Sequence, residues 1–330
     1  LIITICADET SVLNYKDEKK LQNIEAQDNI IYSVKSRYSN ISISDSDIGR
    51  MLMFDRSYQG GNINYISFKG GMPYTRYYHL AGIFNTDIRN ILILGIGSGS
   101  VIKDSTMIYD YREIDAIDID SEVVDIAQTY FELPQNNRIN YIVEDAGSYI
   151  LRTDKKYDLV IVDLFLAKGM PLNFLTEEFA QKLSDILTDN GIVGINLFGN
   201  EDISGDQSII FRSQYKVYNN IFPFVACFPV IYGAYEFYRL ACNLRYKLGN
   251  LTNIVLLAAR KPHDFNNNHF ISRAKKLQQH SKFNYFKNYS LYARDIYTQK
   301  INTDDIKPIK DSFLKIKDLT TKKLTGLIKN

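Results

Sequence analysis

The chain has 330 residues, 39 basic and 38 acidic side chains and a net charge of +1, enough length for one large domain or two smaller ones. Near-neutrality argues against an electrostatic nucleic-acid binder, and no run of about 18 or more apolar residues is present to span a membrane. Cys6, Cys227 and Cys242 form no CxxC pair and cluster with no histidine. This argues against a structural metal site or a disulfide scaffold and favours a reducing, cytoplasmic compartment.

The opening LIITICA reads either as a short first strand or as the remnant of a signal or anchor, and residues 1–29 otherwise form a polar arm. In residues 30–73, IIYSVKSRYSNISIS and RMLMFDRS alternate apolar with polar residues, and SDSDIG and QGGN punctuate them as turns. That pattern predicts a small antiparallel β-layer. YTRYYHLAGIF (74–84) predicts an amphipathic helix. Residues 74–318 are expected to form one larger domain, and residues 319–330 a basic, loosely held tail.

From Asn90 the pattern changes. NILILGIGSGS predicts a strand running into a glycine turn, DAIDID a second strand, and SEVVDIAQTYF a helix with Ser121 as N-cap. RINYIVED and YDLVIVDLF are the third and fourth strands, the latter apolar enough for burial on both faces. TEEFAQKLSDIL predicts a helix with Phe179, Leu183 and Leu187 on one face, and GIVGINLF a fifth strand. Residues 205–260 are expected to continue the alternation, ending in NIVLLAAR. Strands alternating with helices give an α/β fold with a parallel, doubly wound, Rossmann-like sheet.

In such a sheet, ligands bind at the carboxyl ends of the strands. Four features fall there. Gly95-x-Gly97-x-Gly99 lets the backbone turn and approach a ligand; its spacing departs from GxGxxG, which disfavours a nicotinamide dinucleotide. Asp118, at the second strand's end, suits the hydroxyls of a ribose. Asp145 suits an exocyclic amine of adenine, or else caps the helix AGSYIL. Asp163 ends the fourth strand as a candidate base, or else braces the following loop. The set fits an adenosyl ligand lying across the strand ends.

These residues resemble the spermidine synthase (polyamine aminopropyltransferase) family from about Ile30 to Asp318. SRYSNISIS…RMLMFDRSYQ is similar to the family's N-terminal hairpin, ending in a nucleoside-touching Gln, here Gln59. YYHLA is similar to its Tyr-His stretch, which implies Tyr78 and His79 at the substrate pocket. ILILGIGSGS, DAIDID, VEDA and YDLVIVD match its glycine, ribose-acid, adenine-acid and catalytic-Asp motifs, the last implying Asp163 as catalytic residue. FPFVACFPV and TDDIKPIKDSF also look like it.

Two positions depart. The acid that holds the donor's amine is Ser98 here, and the acid that grips the acceptor diamine is Leu166. The stretch DLF…GMPLNFLTEEF looks like a divergent spermidine-synthase-like branch.

The resemblance implies a methyltransferase-like fold and a role in polyamine biosynthesis. It also implies transfer of an aminopropyl or related alkyl group to a small amine. The donor would be decarboxylated S-adenosylmethionine or S-adenosylmethionine, with no metal. It further implies a homodimer or homotetramer joined through the β-layer. The alternatives are an S-adenosylmethionine-dependent methyltransferase and a non-catalytic nucleoside-binding member of the fold. Tyr232 and Tyr235, in VIYGAYEFY, are either an acceptor wall or plain core.

Overall fold

The alternating N-terminal segment folds as an antiparallel meander of β1 (Asn29–Lys35), β2 (Asn40–Ser46), β3 (Gly49–Phe54), β4 (Ser57–Tyr65) and β5 (Phe68–Gly70). The structure is a computed structural model. It describes residues 29–46, 49–55, 57–65, 68–165, 169–232, 251–263, 266–315 and 321–329. Side chains two apart on a strand share a face, so Ile41 with Ile43, and Leu52 with Phe54, present one apolar surface. That surface buries against Val123, Ile126 and Phe131, on and just after the helix Ser121–Tyr130. Arg50 secures the contact by donating to the Tyr130 carbonyl at 3.1 Å while paired with Asp45.

The larger sheet contains β6 (Asn90–Leu94), β7 (Glu113–Asp118), β8 (Ile139–Val143), β9 (Tyr157–Val162), β10 (Leu187–Asn200), β11 (Phe224–Pro229) and β12 (Leu251–Ala259). Their order across the sheet is β11-β12-β10-β9-β6-β7-β8. The neighbours from β8 to β10 pair in parallel. β12, which carries NIVLLAAR, runs antiparallel to both β10 and β11, where a continued parallel pattern was expected. An apolar run buried on both faces carries no mark of its direction.

Both faces of this sheet are covered. Ile91 and Ile93 pack with Tyr77, Leu80, Phe283 and Tyr289, while Leu92 and Leu94 pack with Ile150, Leu183 and Val217. A buried acid within β7, Asp115, is satisfied by Tyr149 and Tyr157 hydroxyls, Asn140 and Lys155.

Local details differ from expectation in four places. Asp120, not Ser121, caps the helix Ser121–Tyr130, accepting from the Glu122 amide at 3.1 Å. Leu187 begins β10 and is not the last apolar residue of the helix Glu177–Asp185. Residues 74–84 form a short helix, Thr75–Tyr78, running into a 3-10 turn, His79–Ile83. They are buried nearly all round, because the C-terminal segment covers what would have been a polar face: Tyr77 donates to Asp295, and Tyr289 donates to the His79 carbonyl. The basic tail is also packed, with Leu324 and Ile328 fully buried in the cluster that holds Leu92 and Leu94. Among the described residues, no helix is long and apolar enough to cross a membrane. Cys227 is a buried free thiol; Cys6, Cys242 and LIITICA lie outside the described residues.

Candidate active site

Strand register brings the candidate residues together. Leu94 stands abreast of Ile117 on one side and Val162 on the other, and Asp118 abreast of Val143. The residues that follow must therefore emerge at one edge. Further backbone bonds keep them level: the Gly95 amide to the Ile117 carbonyl, Asp163 to Leu94, and Glu144 to Asp118, at 2.8, 2.8 and 2.9 Å. A cavity of about 580 Å³ opens over this edge. That size suits a nucleoside-sized ligand with a small second substrate.

One half of the cavity lies over β6, β7 and β8. Gly95, Gly97, Asp118, Glu144 and Asp145 line it. Gly95 has φ +94°, and a side chain there would meet the Asp163 carbonyl at 2.2 Å. Only glycine lets the turn sit this close to β9. Asp118 holds the turn in shape: its Oδ2 accepts from the Ile96 amide at 2.9 Å and its Oδ1 from the Asp120 amide at 3.1 Å. Burial pushes the Asp118 carboxyl up to about 6, against the opposing pull of these amides. Each oxygen keeps a lone pair for a ligand hydroxyl. Asp145 caps the helix Ala146–Arg152, its Oδ1 accepting from the amide and hydroxyl of Ser148 at 2.8 and 2.9 Å. It is a helix cap that also lines the cavity.

The other half lies over β9, β10, β12 and β11. Asp163, Phe165, Asn196, Phe198, Glu201 and Ile231 line it. Asp163 is partly open to the cavity, but its Oδ1 is sealed from solvent and has no hydrogen-bond partner. Its Oδ2 accepts from the Tyr74 hydroxyl at 2.9 Å. Burial pushes this carboxyl up to about 6; Tyr74, Tyr78 and Asn196 pull the other way without closing a bond of good geometry on Oδ1. Asn196 is itself held by Asn253, whose amide donates to its Oδ1 at 3.0 Å. Phe165 and Phe198 meet edge to face, ring centroids 5.4 Å apart.

The profile of the spermine/spermidine synthase domain matches residues 74–244, just over half of the chain. The chain belongs to that family. It is 28% identical over 203 residues to the polyamine aminopropyltransferase of Vibrio vulnificus (strain CMCP6), spanning 59% of this chain and 68% of that protein. It is 26% identical to the polyamine aminopropyltransferase of Methanocaldococcus jannaschii, over 50% of this chain and 56% of that one. The matches therefore span from just over half to about two thirds of these relatives' length. In fold, it is similar to a probable spermidine synthase from Corynebacterium glutamicum, with a TM-score of 0.59 at 17% identity, over 83% of this chain and 98% of that chain. It is also similar to human methyltransferase-like protein 13 in complex with SAH, with a TM-score of 0.50 at 18% identity, over 63% and 91%.

The other candidate residues divide between the cavity and the core. Gln59 lines the cavity with its Nε2 buried and unpartnered. Tyr78 sits behind Asp163 and does not line the cavity; its ring packs at Gly194 and its hydroxyl is 3.5 Å from the Val162 carbonyl. His79 is fully buried away from the cavity, stacked on Phe286 with its Nδ1 3.3 Å from the Tyr109 hydroxyl. Burial lowers its pKa to about 3. The chain turns after Tyr78 into the 3-10 segment, which aims His79 at the aromatic core and not at the substrate pocket. Ser98 is only 4% exposed, and its Oγ accepts from the Gly61 amide at 3.0 Å and bonds Ser100 Oγ. Leu166 and Tyr235 lie outside the described residues.

Sequence reasoning missed Tyr74 and Asn196. Tyr74 was hidden at the edge of a supposed amphipathic helix. Asn196 had a readable sign, a lone amide inside the apolar strand GIVGINLF.

Proposed function

We propose that the chain transfers an aminopropyl or related alkyl group from an adenosyl sulfonium to an amine. Family membership supports the reaction class, and one observation carries the assignment of the base. Asp163 lines the cavity beside the glycine turn, is partly open to it, and has its carboxyl pushed up to about 6 by burial. In the reaction, the amine nitrogen's lone pair forms a bond to the carbon beside sulfur. The carbon–sulfur bond breaks with its electron pair going to sulfur, leaving a neutral thioether, and the nitrogen's proton passes to the Asp163 carboxylate. A carboxylate with a raised pKa is the stronger base, and above pH 6 it is ionised. Tyr74 orients it. Positioning of amine and sulfonium in line supplies most of the remaining acceleration.

In this reading the sulfonium donor's nucleoside lies in the half over β6 to β8. Gly95 and Gly97 pass beneath it, while Gly99 turns away against Leu133 and does not line the cavity. Asp118 takes the ribose, Asp145 the base, and Gln59 offers its unpartnered Nε2 to the nucleoside. The same reading carries a homodimer or homotetramer joined through the small sheet, whose edge strand β1 leaves Ile30 and Ile31 exposed.

A second reading, methyl transfer from S-adenosylmethionine, is favoured by Ser98. Its hydroxyl is committed to Gly61, so the position supplies no carboxylate for a donor amine and none to repel a donor carboxylate.

Incubation with decarboxylated S-adenosylmethionine and a panel of primary amines tests the proposal. Release of methylthioadenosine that requires an amine and is abolished in Asp163→Asn supports it. Amine-independent release, or turnover unchanged in Asp163→Asn, contradicts it.

A further inference from the structure

The acceptor half has a chemistry of its own. Phe165 and Phe198 form an edge-to-face wall, Val230 and Leu251 extend it, and Ile231 offers an apolar side chain that is 42% exposed. Its polar lining includes the Asn196–Asn253 amide pair, which is neutral, and Thr252, whose hydroxyl donates to the Val230 carbonyl. Among the described lining residues of this half, carboxylates occur only at Asp163 and at Glu201, and Glu201 is exposed at the far end of β10. Asp163 is committed to the attacking nitrogen. Among the described lining residues, an ammonium at the other end of a diamine would leave water for a wall of phenyl rings and neutral amides, with only the exposed Glu201 to replace part of its hydration. A methyl or phenyl group at that point would gain by the same burial.

We propose that this half takes a primary amine whose body is apolar or aromatic, in preference to a diamine with a second ammonium. The inference rests on the alkyl-transfer reading above. The attacking step is unchanged: nitrogen bonds carbon, carbon–sulfur breaks toward sulfur, and the proton goes to Asp163. Specificity is set by what the rest of the acceptor buries.

The test compares matched acceptors at one pH on the full chain, with decarboxylated S-adenosylmethionine as donor. Pentylamine is 1,4-diaminobutane with a methyl in place of one terminal amine, and 2-phenylethylamine carries an aryl body. The kcat/KM for both monoamines is expected to exceed that for 1,4-diaminobutane by at least about tenfold. Phe198→Ala is expected to lower the 2-phenylethylamine value about tenfold while leaving methylthioadenosine affinity unchanged. Preference for 1,4-diaminobutane in wild type overturns the proposal, and loss of that preference in Glu201→Gln would name Glu201 as the grip. Because the wild-type comparison needs no variant, misfolding of Phe198→Ala does not blunt it. If methylthioadenosine does not bind at all, the alkyl-transfer reading fails first and this inference falls with it. If it binds and the diamine is preferred, only this inference fails.

Discussion

The two halves of the cavity are built on opposite principles. Over β6, β7 and β8 the lining sets glycines and carboxylates among aliphatics such as Ile96, Ile117 and Ile119, with Asp118 bonded to the loop it stabilises. Over β9, β10, β12 and β11 it is phenyl rings, branched aliphatics, a pair of neutral amides and the exposed Glu201. Asp163 stands on the seam, abreast of the glycine turn through the pairing of β6 with β9. A nucleoside has many hydrogen-bonding groups in fixed places, so its half must be polar and rigid. The second half needs only to hold a nitrogen in line and to exclude water. On the proposed reading, the contrast separates recognition of the donor, carried by the turn and strand ends, from recognition of the acceptor, which side chains set.

The largest effect expected is at the seam. Asp163→Asn should lower kcat by about 10²–10⁴-fold, measured as methylthioadenosine release, without weakening methylthioadenosine binding. An equal loss of binding would mean that Asp163 belongs to the donor half. Asp118→Ala should do the reverse, costing about 1.5–3 kcal/mol in methylthioadenosine affinity, most of it at the ribose. Only ionised Asp118 accepts from both hydroxyls, and its pKa is raised to about 6. Wild-type affinity is therefore expected to fall as pH drops below 6. A flat pH profile would separate Asp118 from the ribose.

Stability should move against activity at Asp163. Folding raises its pKa from the usual 3.8 to about 6, so the fold favours the neutral form. The stabilisation from that preference is complete below about pH 3.8 and is lost as pH rises through about 6. Asp163→Asn, which never charges, should exceed wild type in stability by ~1–2 kcal/mol at pH 8 and converge with it near pH 4, read by denaturant melts. The smallest effect is expected from Tyr74→Phe. It removes the one good hydrogen bond to Asp163, and should lower kcat about 3- to 10-fold while moving the acidic limb of the pH–rate profile above 6.

The half over β6 to β8 was legible in the sequence and the other half was not. Strand ends are marked by apolar runs that stop at an acid, so Asp118, Asp145 and Asp163 could be named, and GxGxG located the turn. Parallel register then forced them to one edge. The acceptor wall comes from residues scattered over four strands, and nothing in their local pattern links Phe165 to Phe198 or Asn196 to Asn253. His79 misled for a related reason. A motif fixes a residue's place in the chain, but one 3-10 turn decided which way its ring faces. The reversed β12 was invisible because burial on both faces erases the alternation that would have distinguished its surroundings.

Calorimetric titration of methylthioadenosine, S-adenosylhomocysteine and S-adenosylmethionine into wild type and Asp118→Ala tests the central claim most directly. The account predicts preference for methylthioadenosine in wild type and its loss in Asp118→Ala. Preference for S-adenosylhomocysteine would move the chain to methyl transfer, and binding of none of the three would contradict the account outright.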